Sequence, residues 1–190
     1  MAELMSAELF ALGLRLDPVT FDHCVRVGMH ARDMARAVGM SDAEERLFTV
    51  ACCFHDIGKL LIPHELLAKR LPLDVDEMAL IREHPVLGVE MLRSLLGWRD
   101  PDMLAIVRSH HERWDGRGYP DGLRGTAIPE WARMCAVMDA YDAMTRHRSY
   151  NRVKTDAEAR EELRSQRGIQ FDGVYVDLFL ETSTSSVVMI

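Results

Sequence analysis

The stretch SDAEERLFTVACCFHDIGK (residues 41–59) joins a strong helix signal to a pair of polar residues. Its first four residues have the spacing of a capping box, in which Ser and Glu side chains satisfy backbone N–H groups at the start of a helix. The residues that follow are mostly apolar as far as Phe54, which predicts a buried helix. His55 and Asp56 come directly after it. Burying an imidazole and a carboxylate without partners is costly, so the pair needs a polar environment beside the core.

Helical periodicity continues outward from this stretch over most of the chain, and no run of alternating residues indicates a strand. The other predicted helical segments are about Ala2–Leu16, Thr20–Val38, Asp74–Arg82, Pro85–Leu96, Pro101–Glu112, Pro129–Thr145 and Thr155–Arg167. The long irregular stretch is Arg113–Ile128, which contains four glycines. Loops of that length in compact domains are often functional. We therefore predict an all-α fold, a single-domain helical bundle with an N-terminal helix at 1–16, the main domain at 17–181 and a disordered tail at 182–190.

Composition excludes several classes of function. The chain has 190 residues, 30 acidic and 23 basic, and a net charge of −7, which argues against binding to duplex nucleic acid. The four cysteines show no CxxC spacing and are expected to be reduced core thiols. Neither a signal peptide nor an apolar run of roughly 20 residues is present, so no membrane span is expected. We expect a soluble, cytoplasmic protein.

A second polar pair, His110-His111, ends another predicted helix and enters the glycine-rich loop. Adjacent helical residues point about 100° apart, so neither pair fits as two core residues on one narrow stripe. Metal ions would satisfy both pairs, because His and carboxylate suit first-row transition metals. A carboxylate shared by two ions would explain why Asp56 directly follows His55. Two ions roughly 3.5–4 Å apart can orient a phosphate, activate a water and stabilise the leaving oxygen.

Three blocks of sequence resemble a known family. HDIGK (residues 55–59) resembles the HD signature, and HHERWDGRGYP (residues 110–120) is similar to the HHExxDGxGYP signature of HD-GYP domains. Residues 128–145, from the Ile-Pro pair through DAYDAMT, are similar to the family's IP…AR…DAYDAM helix. The blocks stand in family order, and the resemblance covers about residues 17–180. It implies the helical bundle of the HD superfamily and a metal-dependent phosphodiesterase.

The resemblance further implies a substrate, a reaction and a set of metal ligands. The substrate is expected to be the bacterial second messenger cyclic di-GMP, cut to linear pGpG and, after a second cut, to GMP. A water or hydroxide between two ions attacks the phosphodiester phosphorus, and iron or manganese is the expected metal. Four residues are implied to hold one ion, His23, His55, Asp56 and Asp139. Three residues are implied to hold the other ion with Asp56 as the bridge, His84, His110 and His111.

Other residues are implied to contact the substrate. Lys59 resembles the residue that steadies the charge developing on the scissile phosphate, and we therefore class it with Asp56 as catalytic. The remaining expected substrate contacts are Gly118, Tyr119, Pro120, Asp142 and Arg148. Two of these roles have alternatives: Lys59 could stabilise a helix dipole, and Asp142 could support a metal ligand or pair with an arginine.

The chain departs from the family pattern at two places. Val19 stands where many members carry a Glu that helps to hold a third ion, and valine cannot ligate a metal. We therefore expect two ions. The family's RPY followed by a basic residue is replaced here by Arg148-Ser149-Tyr150-Asn151, which alters the expected contacts with the substrate. HD-GYP domains usually follow a sensory or receiver domain, and the residues before Asp17 are too few to form one. We therefore expect either that this sequence is a domain excised from a longer protein or that regulation comes from a separate chain.

Two rival functions stay open. One is an HD-type phosphohydrolase acting on another nucleotide, which the HD residues alone would permit. The other is a catalytically silent module that senses a dinucleotide or docks a partner, although every expected ligand for two ions is present. The candidate protein partners are a GGDEF-domain or other regulatory protein and a second copy of the chain.

Overall fold

The computed structural model describes residues 11–69, 71–146 and 153–182, which are helical and contain no strand apart from an isolated bridge between Arg167 and Phe171. The predicted all-α class is confirmed. In chain order the α-helices are α1 (Pro18–Ala37), α2 (Asp42–Cys53), α3 (His64–Leu67), α4 (Val75–Ile81), α5 (His84–Leu96), α6 (Pro101–Ser109), α7 (Glu130–Thr145), α8 (Asp156–Ser165) and α9 (Gly173–Thr182). Two 3-10 helices cover Ile57–Leu61 and Gly125–Ala127.

Local sequence signals fix several helix starts. The predicted capping box at Ser41 and Glu44 is present at the start of α2. Equivalent reciprocal boxes begin α4 and α8. Asp17 caps α1 by accepting a hydrogen bond from the backbone N–H of Thr20 at 3.0 Å. These bonds satisfy N–H groups that a helix end would otherwise leave without partners.

Close contacts at two glycines let the helices approach the turn that carries His55-Asp56. Helix α1 packs on α2 and α7, and a Cβ at Gly28 would lie only 2.1 Å from Cys53 Sγ. Helix α5 packs on the 3-10 helix Ile57–Leu61, where a Cβ at Gly58 would lie 1.9 Å from the carbonyl oxygen of His84. Gly58 therefore lets the turn that carries His55-Asp56 approach the start of α5.

The structure differs from the expected helices in a few places. Helix α6 ends at Ser109, three residues before the expected end, so His110 and His111 lie in the turn that follows it. Helix α9 is not predicted from the sequence, because its apolar residues do not follow one clear stripe. The N-terminal helix predicted at 1–16 falls largely on residues 1–10, outside the described residues. Of the tail predicted at 182–190, Thr182 is instead the last residue of α9, and the remainder also lies outside the described residues. No helix within the described ranges combines the length and the apolar character that crossing a bilayer requires.

Candidate metal centre

Asp56 lies at the middle of the site, in the turn between α2 and the following 3-10 helix. It is buried, and its two carboxylate oxygens face different histidines. Oδ2 lies 3.5 Å from His55 Nε2 and 3.9 Å from His23 Nε2. Oδ1 lies 3.1 Å from His84 Nε2 and 3.8 Å from His110 Nε2. One carboxylate thus faces two separate groups of imidazoles.

All seven expected metal ligands meet around this carboxylate. Within each of two groups, the potential ligand atoms lie within 4.8 Å of one another. One group, called here the His84 group, consists of Asp56, His84, His110 and His111. The other, called here the His23 group, consists of His23, His55 and Asp139. The division matches the expected ligand sets, with Asp56 between them. The residues come from α1, the α2 turn, the start of α5, the end of α6 and the middle of α7.

Hydrogen bonds to backbone carbonyls orient three of the imidazoles. His55 Nδ1 donates to the carbonyl oxygen of Cys52 at 2.7 Å. His84 Nδ1 donates to that of Ile81 at 2.8 Å, and His110 Nδ1 donates to that of Val107 at 3.0 Å. A carbonyl oxygen only accepts, so Nδ1 carries the proton and Nε2 of the neutral ring presents a lone pair. Such bonds commonly orient histidines that ligate metals.

These lone pairs converge on one another and on carboxylate oxygens. Nε2 of His84 and Nε2 of His110 are 3.3 Å apart, a distance at which two lone pairs repel. Among the residues that the structure describes, no hydrogen-bond partner contacts the buried atoms His23 Nε2, His55 Nε2 and Asp56 Oδ1. Unpaired buried acceptors are costly, whereas a cation between them turns the same contacts into ligand bonds. The residues present therefore fit divalent transition-metal ions.

His23 differs from the histidines of the His84 group in the direction of its pKa shift. Burial lowers the pKa of His84, His110 and His111, which favours the neutral rings that can ligate a metal. Burial also lowers the pKa of His23, but its contacts with Asp139 and Asp142 outweigh burial and the net shift is upward. His23 Nε2 lies 3.0 Å from Asp139 Oδ1.

A buried ion pair orients His23. His23 Nδ1 donates to Asp142 Oδ2 at 2.7 Å, and Arg26 donates to both oxygens of Asp142 at 2.6 and 2.9 Å. Burial raises the pKa of Asp142, but the hydrogen bonds from His23 and Arg26 outweigh it and hold that pKa at about 2. Both carboxylate oxygens are thus engaged with His23 and Arg26, which favours support of a ligand over the expected substrate contact. Sequence reasoning missed Arg26, whose only signal is its position three residues after His23 on the same helix face.

Lys59 and Cys24 lie at the edge of the ligand cluster. Lys59 Nζ donates to Asp56 Oδ2 at 2.5 Å, so its ammonium group contacts the shared carboxylate directly. The Cys24 sulfur lies within 4.8 Å of ligand atoms of His55 and Asp56. All four cysteines are free and buried, as expected. The sequence signal for this proximity is that Cys24 directly follows the expected ligand His23.

The glycine-rich loop is fixed beside the His84 group. The buried Glu112 accepts hydrogen bonds from the backbone N–H groups of Asp121 at 2.7 Å and Leu123 at 3.0 Å, a tie that sequence reasoning missed. A Cβ at Gly118 would lie 2.4–2.6 Å from backbone atoms of residues 111–113, so a side chain cannot be accommodated without a shift. The ring of Tyr119 stacks on His111 with a centroid distance of 4.7 Å, and Pro120 follows through a cis peptide bond.

A cavity of about 190 Å³ opens between this loop and α7. Its lining includes the potential ligands His110, His111 and Asp139, together with Gly118 and Tyr119. Gly118 and Tyr119 thus border the same space as the ligand cluster, whereas Pro120 lines a neighbouring groove. Arg148 lies outside the described residues.

Comparison with known proteins identifies a family and several relatives. The HD domain family matches residues 13–174. The chain is 37% identical over 159 residues to "3'3'-cGAMP-specific phosphodiesterase 2" of Vibrio cholerae, covering 84% of this chain and 30% of that protein. It is 41% identical over 147 residues to "Cyclic di-GMP phosphodiesterase response regulator RpfG" of Xanthomonas campestris, covering 77% of this chain and 39% of that protein. The chain thus spans about a third of the length of these relatives.

A solved structure shares the fold. The protein Bd1817 of Bdellovibrio bacteriovorus, described as an HDG"Y"P protein, superposes with a TM-score of 0.70 at 21% identity. The match covers 87% of this chain and 52% of that one. At this level of identity the likeness concerns the helical architecture.

Proposed function

Because this chain belongs to the HD domain family, in its HD-GYP branch, we propose that it is a metal-dependent phosphodiesterase that hydrolyses a cyclic dinucleotide. The observation that carries the proposal is the position of Asp56, whose two oxygens face two groups of inward-pointing imidazoles. A buried carboxylate in this position suits a bridge between two cations. Phosphodiester hydrolysis is a typical reaction of such paired sites.

The ligand sets divide between the two groups. His23, His55 and Asp139 would hold one ion, His84, His110 and His111 the other, and Asp56 would serve both. Two divalent ions, iron or manganese, would polarise the phosphate and lower the pKa of the attacking water. Both metals accept imidazole and carboxylate ligands.

The protein's own groups would position the reacting atoms. The carbonyl anchors fix the direction of three imidazoles before any ligand arrives. Asp142 and Arg26 do the same for His23, so we assign Asp142 to support of a ligand. Lys59 adjoins the shared carboxylate, where its ammonium group would stabilise negative charge developing on the phosphate. Gly118, Tyr119 and Pro120 would form the wall of the substrate cavity.

Cyclic di-GMP is the proposed substrate, with pGpG as the first product and GMP after a second cut. The relative from Xanthomonas campestris, which is named a cyclic di-GMP phosphodiesterase, supports this choice. A second candidate is 3'3'-cGAMP, because the relative from Vibrio cholerae is named for that specificity. The two substrates differ in one base, so the metal centre would serve either.

The test begins with anaerobic purification and quantification of bound metal. The loaded protein is then offered cyclic di-GMP, 3'3'-cGAMP and simple nucleotides, and products are separated by chromatography. We expect pGpG from cyclic di-GMP, in a reaction that chelation abolishes and metal restores. If the protein cleaves 3'3'-cGAMP but not cyclic di-GMP, 3'3'-cGAMP becomes the proposed substrate. Tight binding of a dinucleotide to the loaded protein without any cleavage would identify a sensory module.

A further inference from the structure

Arg82 and Tyr119 form a ridge beside the metal centre. Arg82 follows the last residue of α4, and its guanidinium carbon lies over the Tyr119 ring, 5.3 Å from the ring centroid. The same ring stacks on His111. Contacts between a guanidinium and an aromatic face are favourable, so the pair forms a defined wall.

The ridge separates two spaces. On one side lies the cavity of about 190 Å³ that contains His110, His111 and Asp139. On the other lies a groove of about 560 Å³ along α4. Arg82 and Tyr119 line both spaces, so the groove and the metal-site cavity adjoin each other on the two sides of this pair. The groove walls are apolar in large part, with Leu73, Val75, Met78, Ala79 and Pro120.

The charge of Arg82 is not neutralised by a neighbouring carboxylate. Among the described residues, its side chain forms no ion pair, and its recorded contact is the Tyr119 ring. The other two arginines that line the metal-site cavity, Arg113 and Arg117, both pair with Asp115. Arg82 is therefore the cavity arginine whose fork is free to bind a phosphate, a group that guanidinium recognises well.

The size of a cyclic dinucleotide requires a second space. Drug-sized ligands occupy pockets of roughly 300–1,000 Å³, so a cavity of about 190 Å³ holds only part of a molecule with two nucleotides. If one phosphate lies at the metal centre, the other half must cross the ridge. Resting on the function proposed above, we propose that the α4 groove receives the half of the dinucleotide remote from the scissile phosphate, and that Arg82 binds its second phosphate.

The groove also suits a nucleobase. Its aliphatic walls can cover the flat faces of a base, and the Glu83 carboxylate at its edge accepts hydrogen bonds. Guanine offers adjacent N–H donors to a carboxylate, whereas adenine offers only its amino group at that edge. The groove is thus the place where one base of the substrate would be distinguished.

The test compares Arg82→Ala with Arg93→Ala, an arginine of α5 that lines neither space. Metal content, KM and kcat for cyclic di-GMP and 3'3'-cGAMP, and calorimetric affinity for each dinucleotide are measured for the loaded proteins. Bis(p-nitrophenyl) phosphate, a small diester, serves as a substrate too short to reach the groove. For Arg82→Ala we expect the dinucleotide KM to rise about 10- to 100-fold relative to that of the small diester, from loss of a charge-assisted bond.

A second variant tests the groove without removing the charge. Ala79→Trp fills the α4 groove with a large ring and should weaken dinucleotide affinity about as much as Arg82→Ala. Dinucleotide affinities equal to that of Arg93→Ala in both variants would overturn the inference, even if turnover upholds the proposed function. Conversely, Arg82-dependent binding without turnover would support the groove and overturn the proposed activity.

Discussion

The two halves of the metal centre share Asp56 but differ in the partner of one histidine. His55 of the His23 group donates to a backbone carbonyl, as His84 and His110 do, whereas His23 donates to a carboxylate. In the His84 group, His84 and His110 donate to backbone carbonyls, which are neutral. In the His23 group, His23 donates to the carboxylate of Asp142, which also binds Arg26. The pKa shifts differ accordingly: the pKa values of His84 and His110 are lowered, and the pKa of His23 is raised. The same ligand type is thus given opposite proton affinities within one site.

The largest effect is expected from substitution of Asp56, the carboxylate that faces both ligand groups. Asp56→Ala removes an oxygen from each group, so both ions and all hydrolysis should be lost. Asp139→Ala removes a ligand from the His23 group alone and should leave the His84 group with its ion. Metal content by mass spectrometry and turnover of cyclic di-GMP measure both effects. An Asp56→Ala protein that keeps one ion at wild-type affinity, or keeps its activity, would break the bridged arrangement.

A change in the loop should act on the His84 group alone. Gly118→Ala places a methyl group 2.4–2.6 Å from the backbone of residues 111–113, so His111 and the Tyr119 stack must shift. Displacement of this order costs roughly 100-fold in kcat/KM, while the ion of the His23 group should stay bound. Gly13→Ala is the control, since its Cβ would lie 3.3 Å from a flexible Phe21 ring. Wild-type kcat/KM in Gly118→Ala would show that the loop does not position the site.

Removing the support of His23 should act on the other half. Asp142→Ala leaves the His23 ring without its anchor, and loss of such a partner typically weakens metal affinity about 10- to 100-fold. Competition with a chelator would report the weakened ion, while the second ion should keep its affinity. Asp177→Ala is a matched control, because Asp177 also pairs with an arginine, Arg167, at an exposed position. Equal affinities in both variants would mean that Asp142 does not support His23.

The sequence predicted which polar residues cluster better than it predicted the groups that orient them. His55-Asp56 and His110-His111 stand out because polar pairs beside apolar helices need partners, and the family motifs add the remaining ligands. The partners that hold them are backbone carbonyls, which no residue type reveals. They become available where helices end, and the end of α6 at Ser109 is itself three residues from the expected position.

Long-range partners escaped prediction for a related reason. Arg26 and Asp142 are separated by 116 residues, and only the packing of α1 on α7 brings them together. Cys24 was correctly expected to be buried, but its proximity to His55 depends on the packing of α1 on α2. The cap of α2, by contrast, depends on two residues that are three positions apart and was predicted correctly.

The smallest effect is expected from a fall in pH, which should release the ions of the two ligand groups at different pH values. His23, whose pKa is raised above 6.5, takes up a proton at a higher pH than His84, His110 and His111, whose pKa values are lowered. A protonated imidazole cannot ligate, so as pH falls the ion of the His23 group should leave first, and as pH rises it should bind last. Metal content after dialysis at successive pH values should therefore pass through a plateau of one ion. Asp142→Ala removes one of the contacts that raise the pKa of His23 and should shift that first release to lower pH, once its weaker affinity is matched by added metal. Release of both ions at a single midpoint would show that the two halves do not differ as their partners indicate.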